Sequence, residues 1–161
     1  MRTRSLTNGA SAIALTLVSY FIFRGMTNLV NSITVPLIFL FITRNFDRRS
    51  IMFVGIALLF TVLILFPSQI LFTLIYLGMA MLLMLIIRKG IIIRLIYPIL
   101  VTGLLIFGVT LTDRIFLTEI NAFMLRISDG KIYIYLLIFF IESLVISGLH
   151  FFFYRNILHQ D

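Results

Sequence analysis

Long apolar runs, separated only by short clusters of basic and turn-forming residues, constrain this chain more than any other feature. A helix needs about 20 mainly apolar residues to cross about 30 Å of hydrocarbon. Six runs approach or reach that length. They predict transmembrane helices at 7–23, 29–43, 51–66, 70–87, 91–111 and 132–153. The second and third spans are short, so we expect helix tilt or local bilayer thinning there.

The composition excludes a soluble fold of this size. Apolar residues make up 61% of the 161 residues and charged residues 12%, whereas soluble domains are about half apolar and a quarter charged. Small domains leave much of their surface exposed, so the excess apolar area must face lipid. The sequence therefore predicts a single all-α integral membrane domain over 1–161.

The distribution of lysine and arginine predicts the orientation. With the N-terminus inside, nine of these residues fall on the cytoplasmic side and four on the outer side. The positive-inside rule then predicts that both termini are cytoplasmic. The cytoplasmic set is Arg2, Arg4, Arg44, Arg48, Arg49, Arg88, Lys89, Arg94 and Arg155, and the outer set is Arg24, Arg114, Arg126 and Lys131. The net charge of +7 thus reports topology, and we expect the bilayer rather than nucleic acid as the partner.

Three prolines mark breaks in the helical pattern. Pro67 predicts the turn between the third and fourth spans, because a helix interior resists proline. Pro36 and Pro98 lie within the second and fifth spans. Each removes one backbone donor and is expected to kink its helix.

The longest connection is the outer segment 112–131, just before the sixth span. Apolar residues recur in it at helical spacing, with charged residues between them, which predicts an amphipathic helix. The apolar positions are Ile115, Phe116, Ile120, Phe123, Met124 and Ile127. The helix would either connect two spans along the membrane surface or form a lid over a site that opens outward.

Small residues form one face of the first span. Thr7, Ala10, Ser11 and Ala14 are spaced at i, i+3, i+4 and i+7, and small residues let helices approach closely in lipid. This face would either pack against another span of the same chain or dock a partner subunit.

Glu142 is an acid deep within the sixth span, about ten residues from either end. A charge there costs several kcal/mol, so we expect its side chain to face the bundle interior. Tyr135 shares its helix face. Together with the first outer loop, which holds Arg24, Asn28 and Asn31, these residues are candidates for binding a substrate. Alternatively Glu142 is protonated and bonded to a neighbouring group, and Arg24 reaches lipid headgroups.

Motifs typical of serine hydrolases, zinc proteases and ATPases are absent from the sequence. There is no cysteine, no GxSxG or HExxH motif and no phosphate-binding GxxxxGK[ST] loop. His150 and His159 are a poor basis for a metal site. We therefore expect no enzymatic activity, no metal and no cofactor.

The opening segment 3–15, a basic flank followed by small residues, resembles the first helix of the substrate-binding S components of energy-coupling-factor (ECF) transporters. The resemblance implies six spans with both ends inside, and binding of a vitamin or other micronutrient near the outer side. It also implies docking on a coupling subunit, which works with ATPases, through an AxxxA face that corresponds to Ala10 and Ala14. The chain would then lie in a bacterial cell membrane. Residues 4–46 also resemble a YybS-like family of bacterial membrane proteins with the same architecture.

A second resemblance is to the rod-shape-determining protein MreD, which has about this length and span count. It implies a scaffold subunit of the cell-wall synthesis machinery that binds no small molecule. The corresponding segment 55–60 lacks the acid of that family's usual glycine-rich motif. Solute binding is therefore the leading prediction, and a membrane scaffold is the alternative.

Overall fold

The chain folds into helices joined by short turns. The computed structural model describes residues 3–23, 28–43, 45–87, 89 and 91–158, and describes only the backbone of residues 3–6, 28, 91–93 and 157–158. These ranges contain no strand, which confirms the predicted all-α fold. The helices are α1 Thr3–Ile22, α2 Asn28–Thr43, α3 Arg48–Leu65, a 3₁₀ helix Pro67–Gln69, α4 Ile70–Ile86, α5 Ile91–Phe116, α6 Ile120–Ile127 and α7 Ile132–Leu158.

Four helical stretches of the described chain are long and apolar enough to cross a membrane. They are Arg48–Leu65, Pro67–Ile86, Arg94–Phe116 and Ile132–Asn156. Two further apolar helices, Thr7–Ile22 and Leu29–Thr43, are shorter. The chain is therefore a multi-pass membrane protein by the length and composition of its helices. That α1 and α2 also cross the bilayer remains a prediction.

Two helices continue beyond the predicted spans. α5 ends at Phe116 instead of 111, and α7 ends at Leu158 instead of 153. Hydropathy measures the length of helix that hydrocarbon covers, but a helix also continues through the headgroup region, where polar side chains are tolerated. The residues 112–116 therefore belong to α5, which corrects the predicted start of the outer segment.

The predicted turn at Pro67 is confirmed. α3 ends at Leu65, and Pro67 opens the 3₁₀ helix that leads into α4. The Phe66 N–H still donates to the Val62 carbonyl at 2.7 Å, whereas proline has no N–H with which to continue the pattern. Pro36 and Pro98 both lie inside their helices, as predicted.

Polar side chains fix two other helix ends. Asp47 caps the N-terminus of α3 by accepting hydrogen bonds from the Ser50 hydroxyl and N–H, which leaves fewer orphan donors. These bonds, that of the hydroxyl foremost, lower the pKa of the Asp47 carboxyl. At the end of α4, Arg94 donates to the carbonyls of Ile87 at 3.0 Å and Lys89 at 3.1 Å, and so fastens the tight connection to α5.

α4 is the central helix of the bundle. It packs against α2, α3 and α5, while α7 packs against α2 and α5. Half of the apolar stretch that contains α4 is buried, compared with 28% of the apolar stretches of α3 and of α7. The core around it includes Tyr76, Met79, Leu83, Phe39, Leu58 and Val101.

The outer surface is apolar along the lengths of the helices. Phe21, Phe60, Ile64, Leu85 and Leu95 are each more than 60% exposed. Apolar patches of this extent on a soluble monomer would promote aggregation. They are the surface that a membrane protein turns toward lipid.

The bundle has two distinct ends. At one end, the C-terminus of α1 lies near the N-terminus of α2, because the Ser19 hydroxyl bonds Asn31. It also lies near the turn between α3 and α4, because the Tyr20 hydroxyl bonds Thr73 at the start of α4. α6 also lies at this end, which we call the α6 end. The opposite end, which carries Asp47, is called the Asp47 end.

Close approach of α1 and α3 requires Gly9. A Cβ atom at this position would lie 2.8 Å from the Val54 Cγ2 atom, and valine has little rotamer freedom with which to move away. Ala10, the next residue, is exposed.

We therefore predict that Gly9→Leu lowers stability by about 1–3 kcal/mol through overpacking, whereas Ala10→Leu leaves it unchanged. The measurement is the melting temperature of each purified variant in detergent. Equal melting temperatures for the two variants would contradict the packing of α1 on α3.

Candidate functional site

His150 connects three helices in the middle of the bundle. It lies on α7 and is fully buried. Its Nδ1 atom lies 2.8 Å from the Tyr97 hydroxyl on α5, and its Nε2 atom lies 3.2 Å from the Ser32 carbonyl oxygen on α2. The Tyr97 hydroxyl also lies 3.4 Å from the Met79 carbonyl oxygen on α4.

Pro36 explains why the Ser32 carbonyl is available to His150. In an α-helix this carbonyl would accept from the N–H four residues later, and Pro36 has none. A polar group without a partner in hydrocarbon costs several kcal/mol. The imidazole supplies the missing donor from a different helix.

The hydrogen bonds also assign the histidine tautomer. A carbonyl oxygen can only accept, so the proton of the neutral imidazole resides on Nε2. The Nδ1 atom then accepts from the Tyr97 hydroxyl. Sequence reasoning missed this contact, although a proline inside one apolar run and a histidine inside another are the signals that point to it.

Two more polar contacts join helices at other depths. The Thr102 and Ser143 hydroxyls, on α5 and α7, lie 2.6 Å apart. Nearer the α6 end, the Tyr20 and Thr73 hydroxyls, on α1 and α4, lie 2.7 Å apart. Each pair shields its own polar groups from hydrocarbon.

Asn31, a predicted substrate-binding residue, is buried between α1 and α2. Its side-chain oxygen accepts from the Ser19 hydroxyl at 2.9 Å, and that hydroxyl also contacts Thr34. This contact fastens the first two helices together. Asn31 therefore has a packing role whether or not it also contacts a solute.

Tyr135, a second predicted binding residue, attaches α6 to the bundle. Its hydroxyl donates to the Asn121 side-chain oxygen at 2.6 Å. Asp113, at the end of α5, accepts from the N–H groups of Ile120 at 3.0 Å and Asn121 at 2.7 Å. These bonds satisfy the N-terminus of α6, so that α6 is fastened across the end of α5 and α7.

Glu142 lies partly buried near the middle of α7. Its carboxylate is close enough to the buried Tyr76 hydroxyl on α4 for the two to interact electrostatically. Among the described residues, no hydrogen bond or basic group acts on this carboxylate. α7 also carries Ser147. Its hydroxyl oxygen is buried and forms no hydrogen bond with any described residue.

The predicted binding residues are thus not all brought together. Arg24 and the side chain of Asn28 lie outside the described residues. Tyr135 and Asn31 bond to other protein groups. Glu142 lies about 10 Å along α7 from Tyr135.

The predicted small-residue face, defined as Thr7, Ala10, Ser11 and Ala14, is turned outward. All four residues are exposed, whereas Gly9 and Ala12 on the opposite side of α1 are buried. None of the described helices therefore covers this face.

The described residues form no cluster suited to a metal ion. Searching the described ranges finds no cluster of three histidine or acidic side chains able to hold a metal ion. Two ion pairs join described residues at the α6 end, Arg126–Glu119 and Lys131–Asp129, and both are solvent-exposed.

Comparison of the chain with protein-family models, curated proteins and solved structures finds no match in any of the three. Its function must therefore be argued from its own residues and geometry.

We predict that Tyr97→Phe lowers stability by about 1–3 kcal/mol, because it leaves the buried Nδ1 atom of His150 without a donor. Tyr133→Phe is the matched control, since Tyr133 is 65% exposed. Thermal unfolding of both variants in detergent is the measurement. If Tyr97→Phe melts at the same temperature as Tyr133→Phe, the buried hydrogen-bond chain is not stabilising the bundle.

Proposed function

We propose that the chain is a solute-binding membrane subunit, similar to the S components of ECF transporters. In this proposal it captures a small solute of the vitamin or micronutrient class outside the cell and passes it on with a membrane coupling subunit and its ATPases. Its role is binding and transport rather than catalysis. It lies in a bacterial cell membrane.

The proposed topology has six membrane crossings, with both termini in the cytoplasm. α1 and α2 are short, but the bonds Tyr20–Thr73 and His150–Ser32 join them to α4 and α7. Helices bonded side by side with long apolar helices share the same hydrocarbon layer. The Asp47 end is cytoplasmic in this proposal, because Arg48, Arg49, Lys89, Arg94 and Arg155 all lie there.

The observation that carries the solute-binding role is Glu142. A charged residue at the centre of a membrane helix costs about 2.5–3.5 kcal/mol, and such residues commonly mark a substrate or ion pathway. The Glu142 carboxylate interacts electrostatically with Tyr76, yet it receives no hydrogen bond from the described residues. A carboxylate with unused acceptor capacity suits a solute that carries N–H or O–H donors or a positive charge.

A second candidate is an MreD-like scaffold subunit with no small-molecule ligand. It is favoured by the outward small-residue face on α1, which suits close packing against a partner helix. The same face also suits the coupling subunit of the first proposal. Proteins that co-purify with the chain from native membranes distinguish the two. A coupling subunit with ATPases supports transport, and cell-wall synthesis proteins support the scaffold.

We predict that Glu142→Gln reduces the retained solute about tenfold or more, because a hydrogen bond to a charged group contributes about 1.5–3 kcal/mol. The measurement is mass spectrometry of small molecules released from the purified chain. Glu119→Gln is the matched control, since Glu119 is an exposed acid in the segment before α6.

Two results would contradict the solute-binding role. One is the absence of any retained solute from the wild-type chain isolated from its native membrane. The other is equal retention by wild type, Glu142→Gln and Glu119→Gln.

A further inference from the structure

An open groove runs lengthwise along the exposed face of α2. α1 and α7 both pack against α2 but leave a strip of it uncovered between them. The groove has a volume of about 410 Å³, with Leu15 of α1 on one side, Phe153 of α7 on the other, and Ile33, Leu37 and Ile38 of α2 along its floor. We call it the α2 groove.

The α2 groove is apolar throughout its length. Its one hydroxyl-bearing residue is Thr34. That hydroxyl donates to the Val30 carbonyl and contacts the Ser19 hydroxyl, at 3.0 and 2.9 Å. Its polar capacity is therefore used within the protein, and the groove offers a ligand only hydrocarbon contacts.

A second cavity, lined by both polar and apolar residues, continues the groove at the Asp47 end. It has a volume of about 280 Å³ and shares Phe41 and Ile42 with the α2 groove. Its other lining residues are Asn8, Ser11, Asn45 and Phe46. We call it the amide pocket, because the exposed amides of Asn8 and Asn45 form no hydrogen bond with any described residue.

In the six-crossing topology proposed above, the amide pocket lies at the depth expected for lipid headgroups. α2 has 16 residues and is therefore about 24 Å long, which is shorter than the hydrocarbon layer of about 30 Å. A helix this short draws the headgroup region toward its end. The pocket begins where α2 ends, next to Asn45.

The charge at the Asp47 end favours an anion. The described basic residues there are Arg48, Arg49, Lys89, Arg94 and Arg155, and Asp47 is the single acid among the residues described at that end. Basic residues near the membrane surface attract anionic lipids. The amide N–H groups of Asn8 and Asn45 are donors suited to phosphate oxygens.

We propose that the α2 groove and the amide pocket together bind one anionic phospholipid. An acyl chain lies in the α2 groove against Leu15, Leu37 and Phe153, and the phosphate group accepts hydrogen bonds from Asn8 and Asn45. The lipid lies beside the small-residue face of α1, because Ser11 belongs to that face and also lines the amide pocket. A partner helix on Ala10 and Ala14 would then contact both protein and lipid.

The choice of a lipid rather than a partner helix rests on the amide pocket. A transmembrane helix satisfies its own backbone groups and brings apolar side chains to a groove. Such a helix would supply no acceptor of its own to the amides of Asn8 and Asn45. A phospholipid matches both parts of the site, apolar within the bilayer and hydrogen-bonding at its surface.

The test is native mass spectrometry of the purified full-length chain in detergent. Phosphatidylglycerol and phosphatidylcholine with the same acyl chains are titrated separately, and the fraction of protein with one bound lipid is measured. We expect the wild type to bind phosphatidylglycerol about tenfold more tightly than phosphatidylcholine.

Two sets of variants test the two parts of the site. Asn8→Asp with Asn45→Asp adds two negative charges and is expected to abolish the preference for phosphatidylglycerol. Leu37→Trp fills the α2 groove and is expected to reduce binding of both lipids about tenfold. Ile64→Trp, at a site on α3 that is 77% exposed, is the control and should bind lipids as the wild type does.

Melting temperatures establish that each variant is folded, and any unfolded variant is replaced by Ile38→Trp or by Asn45→Asp alone. The proposal is overturned if the wild type binds the two lipids equally, or if Leu37→Trp and Ile64→Trp have the same effect. It is also overturned if a photo-crosslinker at position 37 captures a polypeptide instead of a lipid in native membranes.

Discussion

Hydrocarbon offers no hydrogen bonds, so every polar group within the membrane layer needs a partner from the protein itself. The centre of this bundle shows how the chain meets that requirement. Pro36 deprives the Ser32 carbonyl of its helical donor, and His150 of α7 supplies a replacement. The Tyr97 hydroxyl of α5 in turn donates to the other ring nitrogen of His150. A contact that satisfies one carbonyl thereby fixes the relative positions of α2, α5 and α7. The short helix α2 is thereby held against the long helix α7.

The same requirement separates what the sequence could predict from what it could not. Apolar runs located all six major helices, and Pro67 located the turn between α3 and α4, because hydropathy and proline act locally. The extent of α5 to Phe116 and the pairing of Pro36 with His150 were not predictable. The end of α5 is set by residues outside the hydrocarbon layer, where hydropathy gives no signal. The pairing of Pro36 with His150 depends on which helices become neighbours in the fold.

The candidate functional features divide in a similar way. Glu142 was identifiable because an acid is rare in an apolar run, and in the structure its carboxylate interacts electrostatically with Tyr76. The spacing of Ala10 and Ala14 indicated a face but not its direction, which depends on how α1 packs against α3. Asn31 was identified as a polar residue near the first outer loop, yet its side chain bonds Ser19. A polar residue near a helix end can serve packing or a ligand, and only its neighbours distinguish the two.

Six crossings, with the α6 end outside the cell, are the claim on which both proposed functions depend. The chain has no cysteine, so single cysteines introduced at exposed positions can be labelled from one side with a membrane-impermeant maleimide. Ser68→Cys and Asp129→Cys lie at the α6 end and should react in intact cells. Asn45→Cys and Lys89→Cys lie at the Asp47 end and should react only after permeabilisation. Phe23→Cys, directly after α1, lies at the α6 end and should react in intact cells as Ser68→Cys does. Labelling of Phe23→Cys only after permeabilisation, or labelling of Ser68→Cys and Lys89→Cys from the same side of intact cells, would contradict the six-crossing arrangement.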